Sequence, residues 1–274
     1  MSYFKAYEGD VKKKIKIGAL VSGGGSNLQA IIDACESGKI DGEMAFVGTD
    51  NPMAGGLKRA RQYNIPTFVV AYNEIIDEFK NNPREFKAPD DFDPEEALTR
   101  QTLFHGRHDQ QKIHAFLITR AAAESRLLCQ MAAFPWDVLV LAGFMRKLSP
   151  YIIDRVDKDP AWPRIMNIHP ALLPAFPGTD GYGDTLRYGC KVGGCTVHFV
   201  DYGEDSGPII GQRTFAIEAH DTLESIKAKG LQLEWELYPA CIQLYAEDRL
   251  KVEEETCPAS GGGTLKRRVV KILE

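Results

Sequence analysis

The amino-acid sequence predicts an α/β fold: a mostly parallel twisted sheet with helices on both of its faces. Three observations carry that expectation. Apolar segments alternate with amphipathic ones through residues 15–71, the order that builds a parallel sheet covered by helices. "WDVLVLAGFM", from Trp136 to Met145, is apolar almost throughout, as a strand buried on both faces should be. The 274 residues are 44% hydrophobic and 26% charged, an ordinary globular composition with length for one large domain or two small ones.

The elements follow in order. "KIKIGALV" reads as a buried strand ending at Val21, and "SNLQAIIDACESGKI" as a helix with Leu28, Ile31, Ile32 and Cys35 at helical spacing and Gly38 at its stop. "EMAFVGTD" is a second strand. "MAGGLKRARQYNI" is a helix with Leu57, Ala60 and Tyr63 on one face, and "IPTFVVA" a third strand. Residues 72–118 break the rhythm: the stretch is long and charged, and it carries Pro83, Pro89 and Pro94. A connection of that length is unusual in a compact α/β domain. A helical excursion, a flexible lid and a solvated surface insertion without chemistry all fit it.

"ITRAAAESRLLCQMAAF" is a helix, followed by the apolar strand from Trp136 to Met145. "SPYIIDRV" is a short helix with Ser149 as N-cap and Pro150 at its first position. "RIMNIHP" and "CTVHFV" are strands. "TLESIKAKGLQLEWELYPACIQLYAEDRL" is a long helix carrying Leu223, Ile226, Leu231, Trp235, Leu237 and Leu244, with Gly230 and Pro239 as points of interruption. The tail, residues 251–274, suits a hairpin of two strands joined by a glycine turn.

Charge and cysteine usage exclude several classes. A net charge of -5 leaves no electrostatic footprint for nucleic acid, but it does not exclude an anionic small molecule, whose binding depends on the local field. The cysteines at 35, 129, 190, 195, 241 and 257 form no CxxC and read as scattered reduced thiols. "MSYFKAYEGDVKKK" lacks the apolar core of a signal peptide, and no apolar run is long enough to span a membrane. A cytoplasmic protein with small-molecule partners, monomeric or homodimeric, is expected.

Three stretches carry chemistry. "VSGGGSNLQAIIDA" joins a strand to a helix through three glycines. Outward backbone N–H groups and about half a positive charge from the helix dipole make such a junction an anion site. The dinucleotide pattern G-x-G-x-x-G fails, because its third glycine falls on Leu28, and Asp50 lies too far along for the usual ribose contact. A single phosphate fits better, and a tight turn without a ligand is the plain alternative.

In "NIHPALLPAFPG", Asn167 and His169 project from one face of a strand that Pro170 ends. An amide donor beside an imidazole suits a developing oxyanion; a hydrogen-bonded turn anchor is the other use of such a pair. In "VDYGEDSGPII", Asp201, Glu204 and Asp205 offer a carboxylate to that imidazole, with the choice among them open. His105, His108 and His114 match no common zinc spacing, so no metal is expected.

Taken together, "IGALVSGGGSNLQAIIDA", "NPMAGGLKRARQYNIPTFVV", "DVLVLAGFMRKLSP", "NIHPALLPAFPG" and "VHFVDYGEDSGPIIGQ" resemble the phosphoribosylglycinamide formyltransferases, a branch of the family that uses 10-formyltetrahydrofolate. The resemblance implies the formyltransferase fold with a Rossmann-like N-terminal half. It implies one domain over 13–250: a phosphate-binding half, 13–135, with the insertion, and a folate-binding and catalytic half, 136–250.

The roles it implies are specific. Gly25, Ser26 and Asn27 would hold the phosphate of glycinamide ribonucleotide, and Glu234 would contact that substrate. Met145, Arg146, Lys147 and Leu148 would line the folate pocket, with Arg120 near it. Asn167, His169 and Asp205 match the catalytic trio, with Thr196 and His198 as supporting polar residues. Asp205 would keep the His169 imidazole charged, and 10-formyltetrahydrofolate would be the co-substrate, with no metal.

Two stretches depart from the pattern: "TDGYGDTLRYG", where the family has a histidine-containing mobile loop, and the insertion. The first keeps open a formyltransferase acting on another phosphorylated or sugar-nucleotide amine. A formyltetrahydrofolate hydrolase is a further alternative.

Overall fold

The computed structural model describes residues 14–104, 109–259 and 261–274. Among them, seven strands form one sheet in the order β3-β2-β1-β4-β5-β6-β7. These are β1 (Ile15–Val21), β2 (Gly42–Thr49), β3 (Thr67–Val69), β4 (Val138–Leu141), β5 (Ile165–His169), β6 (Val192–Phe199) and β7 (Ile209–Ala216). Every pairing from β3 to β5 is parallel, whereas β6 and β7 run antiparallel. The sheet is mostly parallel, as expected. The strand order reverses direction at β1, and such a switch point opens a crevice at the carboxyl ends of the strands.

The apolar strands divide their side chains between two cores. Ile17, Ala19 and Val21 of β1, with Val138 and Val140 of β4, pack beneath α1 (Ser26–Glu36) and α8 (Leu223–Ala246). Leu20, Leu139 and Leu141 enter the opposite core, under α3 (Tyr72–Asn81), α5 (Gln110–Met131) and α6 (Pro150–Val156). Alternation into two apolar faces explains why these strands read as continuous hydrophobic runs.

β4 is shorter than the ten-residue run suggests. It ends at Leu141, and the chain turns away at Gly143 (φ 82). α2 (Gly55–Gln62) buries Leu57 and Ala60, while Tyr63 caps the helix and is 40% exposed. Neither Gly230 nor Pro239 interrupts α8. Gly230 serves close packing there, since a Cβ would fall 2.1 Å from the Tyr182 ring.

The insertion is helical. α3, α4 (Pro94–Arg100) and the first turns of α5 occupy it. Ala97, Ile113 and Leu117 form a small third core with Phe92 and Phe116. Tyr72 and Ile75 of α3 enter the core under the sheet and Phe92 meets the Tyr151 ring, so the insertion is packed against the domain, which the solvated alternative did not anticipate. Two elements had no counterpart in the sequence reading: β7, and α7 (Gly181–Arg187) within the stretch expected to be a mobile loop. The tail forms an antiparallel hairpin of β8 (Leu250–Pro258) and β9 (Thr264–Ile272). No described helix is long and apolar enough to cross a membrane.

Candidate active site

The glycine turn follows β1 and is fixed from two sides. Gly25 caps α1 with φ 72 and ψ 38, a left-handed conformation that glycine adopts without strain. A Cβ there would lie 2.8 Å from Gly56 Cα, so the turn and the start of α2 meet backbone to backbone. Gly56 N–H donates to Gly23 O (3.1 Å) and Arg59 Nε to Gly24 O (2.8 Å). The first helical bond runs from Gln29 N–H to Gly25 O. That leaves the N–H groups of Ser26, Asn27 and Leu28 without an intrahelical acceptor, as at any helix start. The donors this turn offers to an anion are therefore backbone N–H groups.

This turn is bolted to the loop after β4. Ser22 N–H donates to Gly143 O (3.0 Å), and Met145 N–H donates to Ser22 Oγ (2.8 Å). Met145, Arg146, Lys147 and Leu148 line a cleft together with Asn167, His169, His198 and Asp205. Arg146 Nε lies 2.5 Å from the buried Asp50 carboxylate, and Lys147 Nζ donates to Glu204 (2.6 Å). Beneath this loop Ser149 N–H donates to the fully buried Glu124 (2.7 Å).

Asn167 and His169 sit at the end of β5, in register with His198 and Thr196 on β6. His169 Nδ1 is 3.2 Å from Asp205 Oδ2, and Nε2 bonds to Phe176 O (2.8 Å). Asn167 Nδ2 reaches His198 Nε2 at 3.2 Å and Asp205 Oδ1 at 3.4 Å. His198 Nδ1 lies 2.8 Å from Phe199 O. A proton on that nitrogen lets Nε2 accept from Asn167, a tautomer assigned from the hydrogen bonds. Gly178 N–H donates to Asp205 Oδ2 (2.8 Å). Of the three acidic residues in the turn, Asp205 is thus the one that reaches the imidazole.

Burial shapes the titration of this pair. It is the largest influence on His169 and lowers its pKa; the Asp205 charge opposes it and loses. Burial pushes Asp205 up, but the His198 hydrogen bond, the His169 charge and the Gly178 N–H carry its pKa below the usual value. The carboxylate stays ionised beside an imidazole that resists protonation.

A model of the family described as "Formyl transferase" matches residues 15–242. The chain belongs to the formyl transferase family. It is 34% identical over 247 residues to the phosphoribosylglycinamide formyltransferase of Escherichia coli (strain K12), covering 90% of this chain and 94% of that protein. The phosphoribosylglycinamide formyltransferase of Bacillus subtilis (strain 168) is 31% identical, with 83% and 93% covered. Among solved structures, glycinamide ribonucleotide transformylase 1 from Symbiobacterium toebii superposes with a TM-score of 0.68 at 34% identity, covering 96% of this chain and 95% of that one.

Several of the expected site residues of this formyl transferase meet other protein groups. The Asn27 side chain is one of them. Its Nδ2 donates to the buried Glu234 (2.7 Å), whose other oxygen accepts from Tyr182 OH (2.6 Å). Glu234 is only 4% exposed, and burial pushes its carboxyl above the ordinary value. Glu234 therefore anchors the α1 start from inside.

Arg120 does not line the cleft. Its guanidinium lies between the rings of Phe116 (4.7 Å) and Tyr72 (5.0 Å), and Nε and Nη1 have no partner. α5 aims it at Tyr72 of α3, whose ring also meets the guanidinium of Arg146 (5.4 Å). Thr196 acts on the turn after β5, accepting from Leu173 N–H and donating to Ala171 O. Burial works against the charge that Asp205 would hold on His169, and Asp205 opposes it. His105 and His108 lie outside the described residues; among those described, no cluster of three metal-ligating side chains occurs.

Sequence reasoning missed Arg59, Glu124 and Tyr182. Arg59 had a signal, the basic run "LKRAR" beside the glycine turn. Glu124 and Tyr182 had none, since their partners lie 25 and 52 residues away.

Proposed function

We propose that this chain transfers the formyl group of 10-formyltetrahydrofolate to the amine of 5-phosphoribosylglycinamide, a step of de novo purine biosynthesis. One observation carries the reading. Asn167, His169 and Asp205 converge at the head of a cleft whose wall, Met145–Leu148, is bolted to a backbone anion site. An amine acceptor tethered by a phosphate and a flat co-substrate would meet there. The names of the relatives point to formyl transfer to the same acceptor.

The chemistry follows from the residues. The amine nitrogen attacks the formyl carbon, and the carbonyl electron pair moves to oxygen. Asn167 Nδ2 carries two hydrogens: one is held by His198, and the other makes only a long contact to Asp205. That second hydrogen is free to turn to the oxyanion. Negative charge growing on oxygen raises the proton affinity of His169, so the imidazole shares, through Asp205 at 3.2 Å, the single proton that the amine releases. Asp205, ionised, accepts the proton released by the amine, directly or through water. The proton then goes to the folate nitrogen as its bond to the formyl carbon breaks.

The deciding experiment supplies the protein with 10-formyltetrahydrofolate and the ribonucleotide, and measures formylated product and tetrahydrofolate. Equal amounts of both support the reading. Transfer only to a different amine, or free formate without an acceptor, would overturn it.

A further inference from the structure

Among the described residues, the insertion reaches the catalytic cleft through Asn73 of α3, whose Oδ1 accepts from Arg146 Nη2 (2.8 Å), and through Leu103 just after α4. Leu103 is nearly buried and lines the cleft beside Val200 and Gly203. Thr102 N–H donates to Tyr202 O (2.9 Å). The Arg100 guanidinium grips Asp154 of α6 with both ends, each at 2.8 Å, and also donates to the Tyr202 hydroxyl. That hydroxyl donates in turn to Asp154 Oδ1 (2.6 Å). The insertion, α6 and the loop after β6 are thereby joined at one cluster.

That loop carries Asp205. Its φ of 52 lies in the left-handed region, a conformation that persists in a non-glycine residue only where the surroundings enforce it. The bonds from Gly203 N–H and Ser206 Oγ to Asp201 tie the loop to itself. Attachment to the scaffold comes from Lys147 on Glu204, Gly178 N–H on Asp205, Tyr202 on Asp154 and the insertion.

We propose that Arg100 and Thr102 are positioning residues. They clasp the 201–205 loop so that Asp205 meets His169 and Asn167, and Leu103 closes the cleft wall beside it. The role in turnover rests on the formyl-transfer reading above; the clasp itself does not.

Arg100→Ala and Tyr202→Phe each cut the clasp without touching a reacting atom. Arg100→Ala lowers kcat by about tenfold or more, since small misplacement of a catalytic group is costly. The KM for the ribonucleotide, held at the distant glycine turn, stays within about twofold. Arg100→Lys restores only part of kcat, because an ammonium cannot span both Asp154 oxygens. A substrate-free readout is amide exchange at Gly178, whose N–H donates to Asp205; it quickens by about tenfold in both clasp variants.

Tyr202→Phe carries the test if Arg100→Ala fails to fold. Unchanged exchange, or unchanged kcat in a folded variant, overturns the proposal. Absence of formyl transfer in the unaltered protein sinks the functional reading instead, and exchange at Gly178 then decides the clasp alone.

Discussion

Replacing Asn167 by alanine separates an oxyanion donor from a turn anchor. In the resting site the amide makes two long contacts, 3.2 Å to His198 Nε2 and 3.4 Å to Asp205 Oδ1. Bonds of that length contribute at most about 1 kcal/mol to stability, so the variant should fold with a melting temperature near that of the parent. The effect on catalysis is larger. A preorganised donor aimed at developing charge accounts for about a hundredfold to a thousandfold in kcat. At about 1.4 kcal/mol per decade that is roughly 3–4 kcal/mol of transition-state stabilisation. Substrate binding uses other groups, so both KM values should hold within about threefold. Steady-state kinetics at saturating co-substrate, paired with a thermal melt, checks all three numbers. A kcat within threefold of the parent, or an equal loss in stability and turnover, would show that Asn167 only holds the turn.

Three further outcomes are expected. Gly25→Ala forces a side chain into φ 72 and within 2.8 Å of Gly56 Cα; it should cost about 1–3 kcal/mol and raise the ribonucleotide KM at least about tenfold, and an unchanged KM would remove the turn from substrate binding. Asn27→Ala deprives buried Glu234 of a donor, so stability should fall by about 1–3 kcal/mol while the ribonucleotide KM rises less than for Gly25→Ala; the reverse order would mean the Asn27 amide grips the phosphate itself. Glu124→Gln tests a buried acid. Burial pushes the Glu124 pKa from 4.5 up to about 8, so its stabilising contribution is complete below the unfolded value and is lost as pH rises through about 8. The melting temperature of the glutamine variant should therefore gain on the parent between about pH 4.5 and pH 8 and level off above, and parallel curves within that window would refute the raised pKa.

The parts of the site that could be read from sequence share a physical cause. Asn167 and His169 lie two apart on one strand, so the pleat alone puts them on one face, and Pro170 marks the strand end. The glycine turn was visible because strand, turn and helix are contiguous. The sheet was visible because β1 and β4 feed apolar side chains to both cores.

What stayed hidden depends on distant partners. Nothing local in Asn27 shows that its amide meets Glu234, 207 residues on. The helical spacing around Arg120 does not show that its guanidinium ends between two rings. The insertion hid its packing because its apolar residues are interspersed with charges and prolines, so no single period marks Ala97, Ile113 and Leu117 as one core.

The Asn27–Glu234–Tyr182 cluster changes how the two halves of the site depend on each other. α7 supplies Tyr182, α8 supplies Glu234 and α1 supplies Asn27. The start of α1, where the free N–H groups lie, is therefore set by the same helix that packs against the antiparallel strands β6 and β7. β6 in turn carries His198, which orients Asn167. Backbone that would hold the phosphate and the amide that would meet the oxyanion are thus referenced to one rigid helix. A shift of α8 would move both together and preserve the spacing between them. Tyr182→Phe, which removes one donor to Glu234 and leaves the packing on Gly230, should loosen the α1 start while sparing the His198–Asn167 pair. It should raise the ribonucleotide KM and leave kcat near the parent value; a drop in kcat at constant KM would place α7 in the catalytic step instead.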